Sequence, residues 1–93
     1  MKYEIMTIYK VTLGDQGSKD LSSKLQEIIT SCGGKVLDQN FWGKRKLSYE
    51  IKHDTEGYFD VIVFELEPSA VTKFKGKLNL LSGLVRYLVT VQK

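Results

Sequence analysis

His53, Cys32 and the carboxylates Asp54, Glu56 and Asp60 are the residues whose chemistry could serve a reaction. A histidine beside an aspartate can relay a proton, a thiolate can attack a carbonyl, and paired carboxylates can act as acid and base. The arrangement favours none of these. With one histidine and one cysteine in the chain, a zinc-type ligand set cannot be assembled. The only base for a nucleophile would be His53, which falls in the turn expected over His53–Gly57. Asp54, Glu56 and Asp60 lie at or near the tip of that hairpin and read as solvated charges. Cys32 lies on the apolar stripe of a helix and reads as a small buried hydrophobe. No phosphate-cradling glycine motif is present, and Gly14-Asp15-Gln16-Gly17 lacks the arginine that an acylphosphatase loop needs. The residues therefore describe a protein that is not an enzyme and needs no metal or cofactor.

Phe41 to Ile51 points elsewhere. It holds the only tryptophan, Trp42, then Gly43, then three consecutive cations, Lys44, Arg45 and Lys46. Leu47, Tyr49 and Ile51 alternate with Ser48 and Glu50, which is the period of a half-buried strand. A glycine inside such a run predicts a bulge. Cations beside aromatic rings suit a phosphate backbone with stacked bases, while the plainer alternative is an edge strand kept soluble by its charges. Lys2, Lys44, Arg45, Lys46, Arg86 and Lys93 are the candidate contacts to phosphate or sugar, and Trp42 either stacks on a base or anchors its strand. Gly57–Phe64 has the rhythm of an RNA-recognition sheet motif, but Asp60 stands where an exposed aromatic is wanted. Binding through strand edges fits better than stacking on the sheet.

These residues must be positioned by a small domain. The chain has 93 residues and a net charge of +3, a mild bias that does not by itself demand a polyanion. The lone cysteine fits a reducing compartment. The longest apolar runs fall far short of the ~20 residues of a membrane span, and Met1–Ile5 has no long apolar signal region. A cytoplasmic protein is expected, with an organellar one of the same appearance.

Alternation predicts a strand over Lys2–Val11 with apolar groups on both faces, then a loop at Gly14–Gly17. A helix over Ser18–Cys32 follows, with Leu21, Leu25, Ile28, Ile29 and Cys32 as its stripe and Asp15 or Ser18 as N-cap. Gly33-Gly34 ends it. A second strand runs from Lys35 to about Lys52, polar in its middle like an edge. Tyr58–Glu67 is a third, with Ile62, Phe64 and Leu66 facing the helices alongside Tyr58 and Asp60. Pro68-Ser69 opens a second helix with Val71, Phe74, Leu78 and Leu81 inward, and Leu84–Gln92 is the last strand. The βαββαβ order gives an α+β, ferredoxin-like sandwich over residues 1–93: a four-stranded antiparallel sheet with two helices on one face. The other face is left partly bare. Met6, Ile8, Phe59, Val61, Val63 and Leu88 there form a candidate surface for a partner protein.

The segment Trp42-Gly43-Lys44-Arg45-Lys46-Leu47-Ser48-Tyr49-Glu50-Ile51 resembles the Trp-Gly-basic-Arg-basic-Leu-Ala-Tyr-Pro-Ile segment of the bacterial-type small-subunit ribosomal protein S6 family. The resemblance extends to Tyr3-Glu4-Ile5, Gly57-Tyr58-Phe59, Pro68 and Val85-Arg86-Tyr87-Leu88-Val89. Ser48, Glu50 and Leu81 depart from the family pattern, and Glu50 adds a negative charge beside the basic segment. The resemblance implies a structural ribosomal protein that binds the central domain of the small-subunit ribosomal RNA together with small-subunit ribosomal protein eighteen (S18). The alternative within the same fold is a regulatory domain that binds a small ligand and dimerises through its sheet.

Overall fold

A computed structural model describes residues 1–51 and 54–91, and for 47–51, 54 and 55 the backbone alone. The elements run β1 (Lys2–Lys10), α1 (Gly14–Ser31), β2 (Lys35–Ile51), β3 (Asp54–Glu65), α2 (Val71–Leu78) and β4 (Leu84–Val91). Short 3-10 turns at Val11–Leu13 and Pro68–Ala70 lead into the two helices. The strands pair antiparallel in the order β2-β3-β1-β4. β1 and β3 are therefore central and β2 is an edge, as the alternation predicts. The fold is the ferredoxin-like α+β sandwich.

Strand phase decides what the core contains. Tyr3 and Ile5 of β1, with Ile62 and Phe64 of β3, form one buried cluster with Leu25 and Ile29 of α1 and Phe74 and Leu78 of α2. Phe64 lies between the Tyr3 ring, stacked at 5.6 Å, and the Phe74 ring, tilted at 5.2 Å. Leu66 is buried with them, so the expected inward face of the third strand is the observed one. Ile28, Cys32 and Leu81 pack on the rim of this cluster.

Three boundaries differ from expectation. Gly14–Gly17 belongs to α1 rather than to a loop. The 3-10 turn at Val11–Leu13 feeds the helix directly, and Asp15–Lys19 and Gln16–Asp20 contacts span its first turns. Neither Asp15 nor Ser18 caps it: Leu13 holds the N-cap position without a side-chain bond, and Ser18 is buried. β3 begins at Asp54, so residues 54–57 are strand and not turn. Gly57 is there for close approach, since a Cβ would meet Ile8 Cγ2 at 2.5 Å. α2 ends at Leu78, which leaves Leu81 outside the helix though against the core. His53 lies outside the described residues.

The glycine pair after α1 closes it with a Schellman motif. Gly33, at φ 86°, donates to the Thr30 carbonyl at 3.0 Å, and Gly34 donates to that of Ile29 at 2.9 Å. A Cβ on Gly34 would lie 2.6 Å from the Glu65 carbonyl oxygen and 2.9 Å from Ile29 Cγ2. Gly34→Ala is therefore expected to destabilise the fold by about 1–3 kcal/mol, as overpacking against backbone does. A urea midpoint equal to wild type would show that this close approach is absent in solution.

Candidate nucleic-acid and partner interface

β2 shifts register on β3 at three places: at single-residue bulges between Val36 and Asp38 and between Phe41 and Gly43, and again between Lys46 and Ile51. The extra residues are Leu37 and Trp42, which have no partner in the ladder. The second bulge rests on Gly43, whose φ of 85° suits a residue without Cβ. Strand alternation puts the two consecutive aromatics before Gly43 on opposite sides. Phe41 stacks on Tyr58 at 6.2 Å on the helix side, with the Lys19 ammonium 5.7 Å over its ring. Trp42 stacks on Phe59 at 6.4 Å, with planes only 6° apart, on the uncovered side. Trp42 remains 42 % exposed, so it is both anchored on Phe59 and open to a further ring.

Past the bulge, Lys44, Arg45 and Lys46 stand opposite Tyr58, Gly57 and Glu56. Alternation sends Arg45 to the uncovered face and Lys44 to the other, while Lys46, at the open edge, lines the same groove as Arg45. Arg45 and Lys46, both exposed, line an open groove with Trp42, Phe59, Phe41 and Asn40. Lys44 approaches Glu56 at 3.9 Å with both side chains about half exposed, a pair worth little in water.

Register arranges the uncovered face in rows. Gly43, Phe59, Ile8 and Arg86 make one, and Asn40, Val61, Met6 and Leu88 the next. The third holds Asp38, Val63, Glu4 and Thr90. An apolar band thus lies between cations at one end and carboxylates at the other. Phe59, Val61, Val63 and Met6 are half-buried and Leu88 is exposed. Ile8 corrects the expectation: at 8 % exposed, it supports the band rather than presenting itself. It leans on Gly57, where no side chain opposes it.

The fold does not gather all the candidate cations. Arg45 and Lys46 share one end of β2. Arg86 shares the row of Phe59 but lies on the far edge strand, about 14 Å away at the spacing of three strand intervals. Lys2 pairs with Glu65 at the opposite end of the sheet, six residues or about 20 Å from Ile8. Lys93 lies outside the described residues. One cation escaped the sequence reading. Lys10 is exposed opposite Gly57, in the same row as Arg45. The even phase of β1, which it shares with Met6 and Ile8, was the signal for it.

A polar cluster behind this edge was also missed. Asp60 is fully buried. Its Oδ2 accepts from Tyr9 Oη at 2.9 Å and from Ser22 Oγ, and its Oδ1 accepts from Gln39 Nε2 at 2.8 Å. Thr7 donates to its backbone carbonyl at 3.4 Å. Burial pushes the Tyr9 phenol well above its ordinary value, and the neighbouring carboxylate adds to the rise. A charged residue in phase with Ile62 and Phe64 was the available clue. Among the described residues no group of histidine, cysteine and acidic side chains could hold a metal, and no helix is long and apolar enough to cross a membrane.

The family profile described as Ribosomal protein S6 matches residues 2–91. The chain is 41 % identical over 88 residues to small ribosomal subunit protein bS6 of Symbiobacterium thermophilum, covering 95 % of this chain and 93 % of that one. It is 37 % identical over 90 residues to the bS6 protein of Dictyoglomus turgidum, covering 97 % and 93 %. The crystal structure of 30S ribosomal protein S6 from Thermotoga maritima superposes with a TM-score of 0.92 at 24 % identity, covering 98 % of this chain and 86 % of that one. That last likeness speaks to the fold.

Proposed function

This chain belongs to the ribosomal protein S6 family, and from that premise we propose that it binds the central domain of the small-subunit ribosomal RNA jointly with protein S18. As a member of that family it is a structural protein of the small ribosomal subunit and not an enzyme. The observation that carries the joint mode is one of adjacency. The apolar band of the uncovered face runs into the Trp42–Phe59 stack, and Arg45 and Lys46 line the same groove. Met6, Phe59, Val61, Val63 and Leu88, backed by Ile8, form the side turned to S18. Arg45, Lys46 and Trp42 form the side turned to RNA, with Lys44 beside them.

Shared binding accounts for the modest charge. A net +3 gives a weak polyelectrolyte attraction, so the pair of proteins must supply the cations together. Arg86 and Lys2, distant from the β2 groove, serve separate phosphate contacts or none, and Lys93 remains a candidate phosphate contact. The ribosome in question is cytoplasmic in this reading.

A gel-shift titration of a central-domain RNA fragment tests the proposal. The fragment should be retarded when this chain and S18 are both present and little by either alone. Tight binding by this chain alone at physiological salt would contradict the shared surface. No shift in any combination, with both proteins folded, would overturn joint binding to this RNA.

A further inference from the structure

We propose that Asp60 is a positioning residue: through Gln39 it fixes the run Asp38–Phe41 between the two bulges of β2, and with it the place where Trp42 and Arg45 are presented. The run is short. Between the bulges only Asp38, Gln39, Asn40 and Phe41 are in register with β3, opposite Val63, Ile62, Val61 and Asp60. Its outer side has no strand beside it, because β2 is the sheet edge. A four-residue ladder flanked by two irregularities is a weak hold on the position of Trp42.

Asp60 supplies a second hold. One carboxylate oxygen is fixed by Tyr9 from β1 and by Ser22 from α1, both buried, and the other accepts from the Gln39 amide at 2.8 Å. The carboxylate thus joins the central strand, the long helix and the edge strand at one point. A hydrogen bond to a charged acceptor is shorter and stronger than one between neutral groups. Gln39 is itself exposed, so its side chain contributes through this one bond rather than through packing. Phe41 is the residue directly opposite Asp60, and Trp42 follows it. Holding Gln39 therefore holds the residue pair that starts the second bulge.

Backbone hydrogen exchange on the full chain tests this, with Trp42 emission as a second readout. In Gln39→Ala, the amides among 38–43 that bond to β3 should exchange about tenfold faster or more, the scale of losing a bond to a charged acceptor. The unfolding midpoint should fall by no more than the same tenfold in the folding equilibrium, because global unfolding breaks this bond as well. Trp42 emission should shift to the red as its stack on Phe59 loosens. Gln39→Glu should open the segment further, by facing Asp60 with a like charge. Adding Asp60→Asn to Gln39→Glu should restore protection, because the amide and the carboxylate have then exchanged places. Unchanged exchange in Gln39→Ala, an unshifted Trp42 emission, or a swapped pair no better protected than Gln39→Glu would each overturn the proposal. Its effect on assembly rests on the joint-binding reading. If the wild-type chain fails to assemble with RNA and S18, that reading falls while the exchange results still judge the role of Asp60.

Discussion

Phe64→Ala is expected to destabilise the protein by about 3–5 kcal/mol, the usual cost of truncating a buried phenylalanine. That is a large part of the ~5–15 kcal/mol that holds a typical domain together. The size of the effect follows from where the ring sits. Phe64 has no exposure and touches an aromatic from a strand on one side and one from a helix on the other. Its removal opens the joint between sheet and helix layer, where β1, β3 and α2 meet, and none of the three can close the gap without leaving its own ladder or turn. Urea denaturation followed by far-ultraviolet circular dichroism would measure it. Leu80→Ala is the matched control, because Leu80 is 85 % exposed and its loss should fall within about 0.5 kcal/mol of zero. A loss under 1 kcal/mol for Phe64→Ala would mean that the packing at this joint is wrong.

Replacing Arg45 and Lys46 together by alanine should weaken assembly with RNA and S18 by about 10–100-fold at physiological salt. The slope of log affinity against log salt should become shallower by about 1–2. Both side chains are exposed, so the unfolding midpoint should barely move. The salt slope is the informative quantity, since it counts phosphates neutralised and is blind to most packing changes. Lys73 and Lys75 provide the control. They are exposed on α2, on the helix side of the sheet, and removing them changes the net charge equally. An unchanged slope in the Arg45/Lys46 variant, or an equal change in the Lys73/Lys75 variant, would remove the β2 end from the RNA surface.

Much of the fold was legible because strands and helices write different periods. Ile62, Phe64 and Leu66 share a phase, and that phase alone identifies the inner face of β3. Gly43 inside an apolar run announced its bulge. The misreadings share a cause. Glycine and aspartate suggest turns at Gly14–Gly17 and at 54–57, where tertiary context uses them otherwise. Gly57 is needed because Ile8 fills the space of its missing side chain, and no local rule reports a neighbour 49 positions away. Asp60 is the same lesson in polar form. A carboxylate near a supposed hairpin tip reads as solvated, yet its three side-chain donors come from β1, α1 and β2. The candidate interface was legible as a list of types but not as a place. Strand register separates Lys2 and Arg86 from Arg45 and adds Lys10 to it.

The strand order also sets a timetable for synthesis. β1 is made first, yet its only strand neighbours are β3 and β4, which begin at residues 54 and 84. While the first fifty residues emerge, the central strand has no partner, and α1 has only a partial surface on which to lay its apolar stripe. Pairings between segments so far apart in sequence are slow to form. The hairpin of β2 with β3 can form earlier, since Ile51 pairs with Asp54 at its closed end. The sheet is completed only when β4 arrives and β1 is enclosed on both sides. The nascent chain must therefore carry Ile5 and Tyr9, both buried in the finished molecule, without their final cover until β4 has been made.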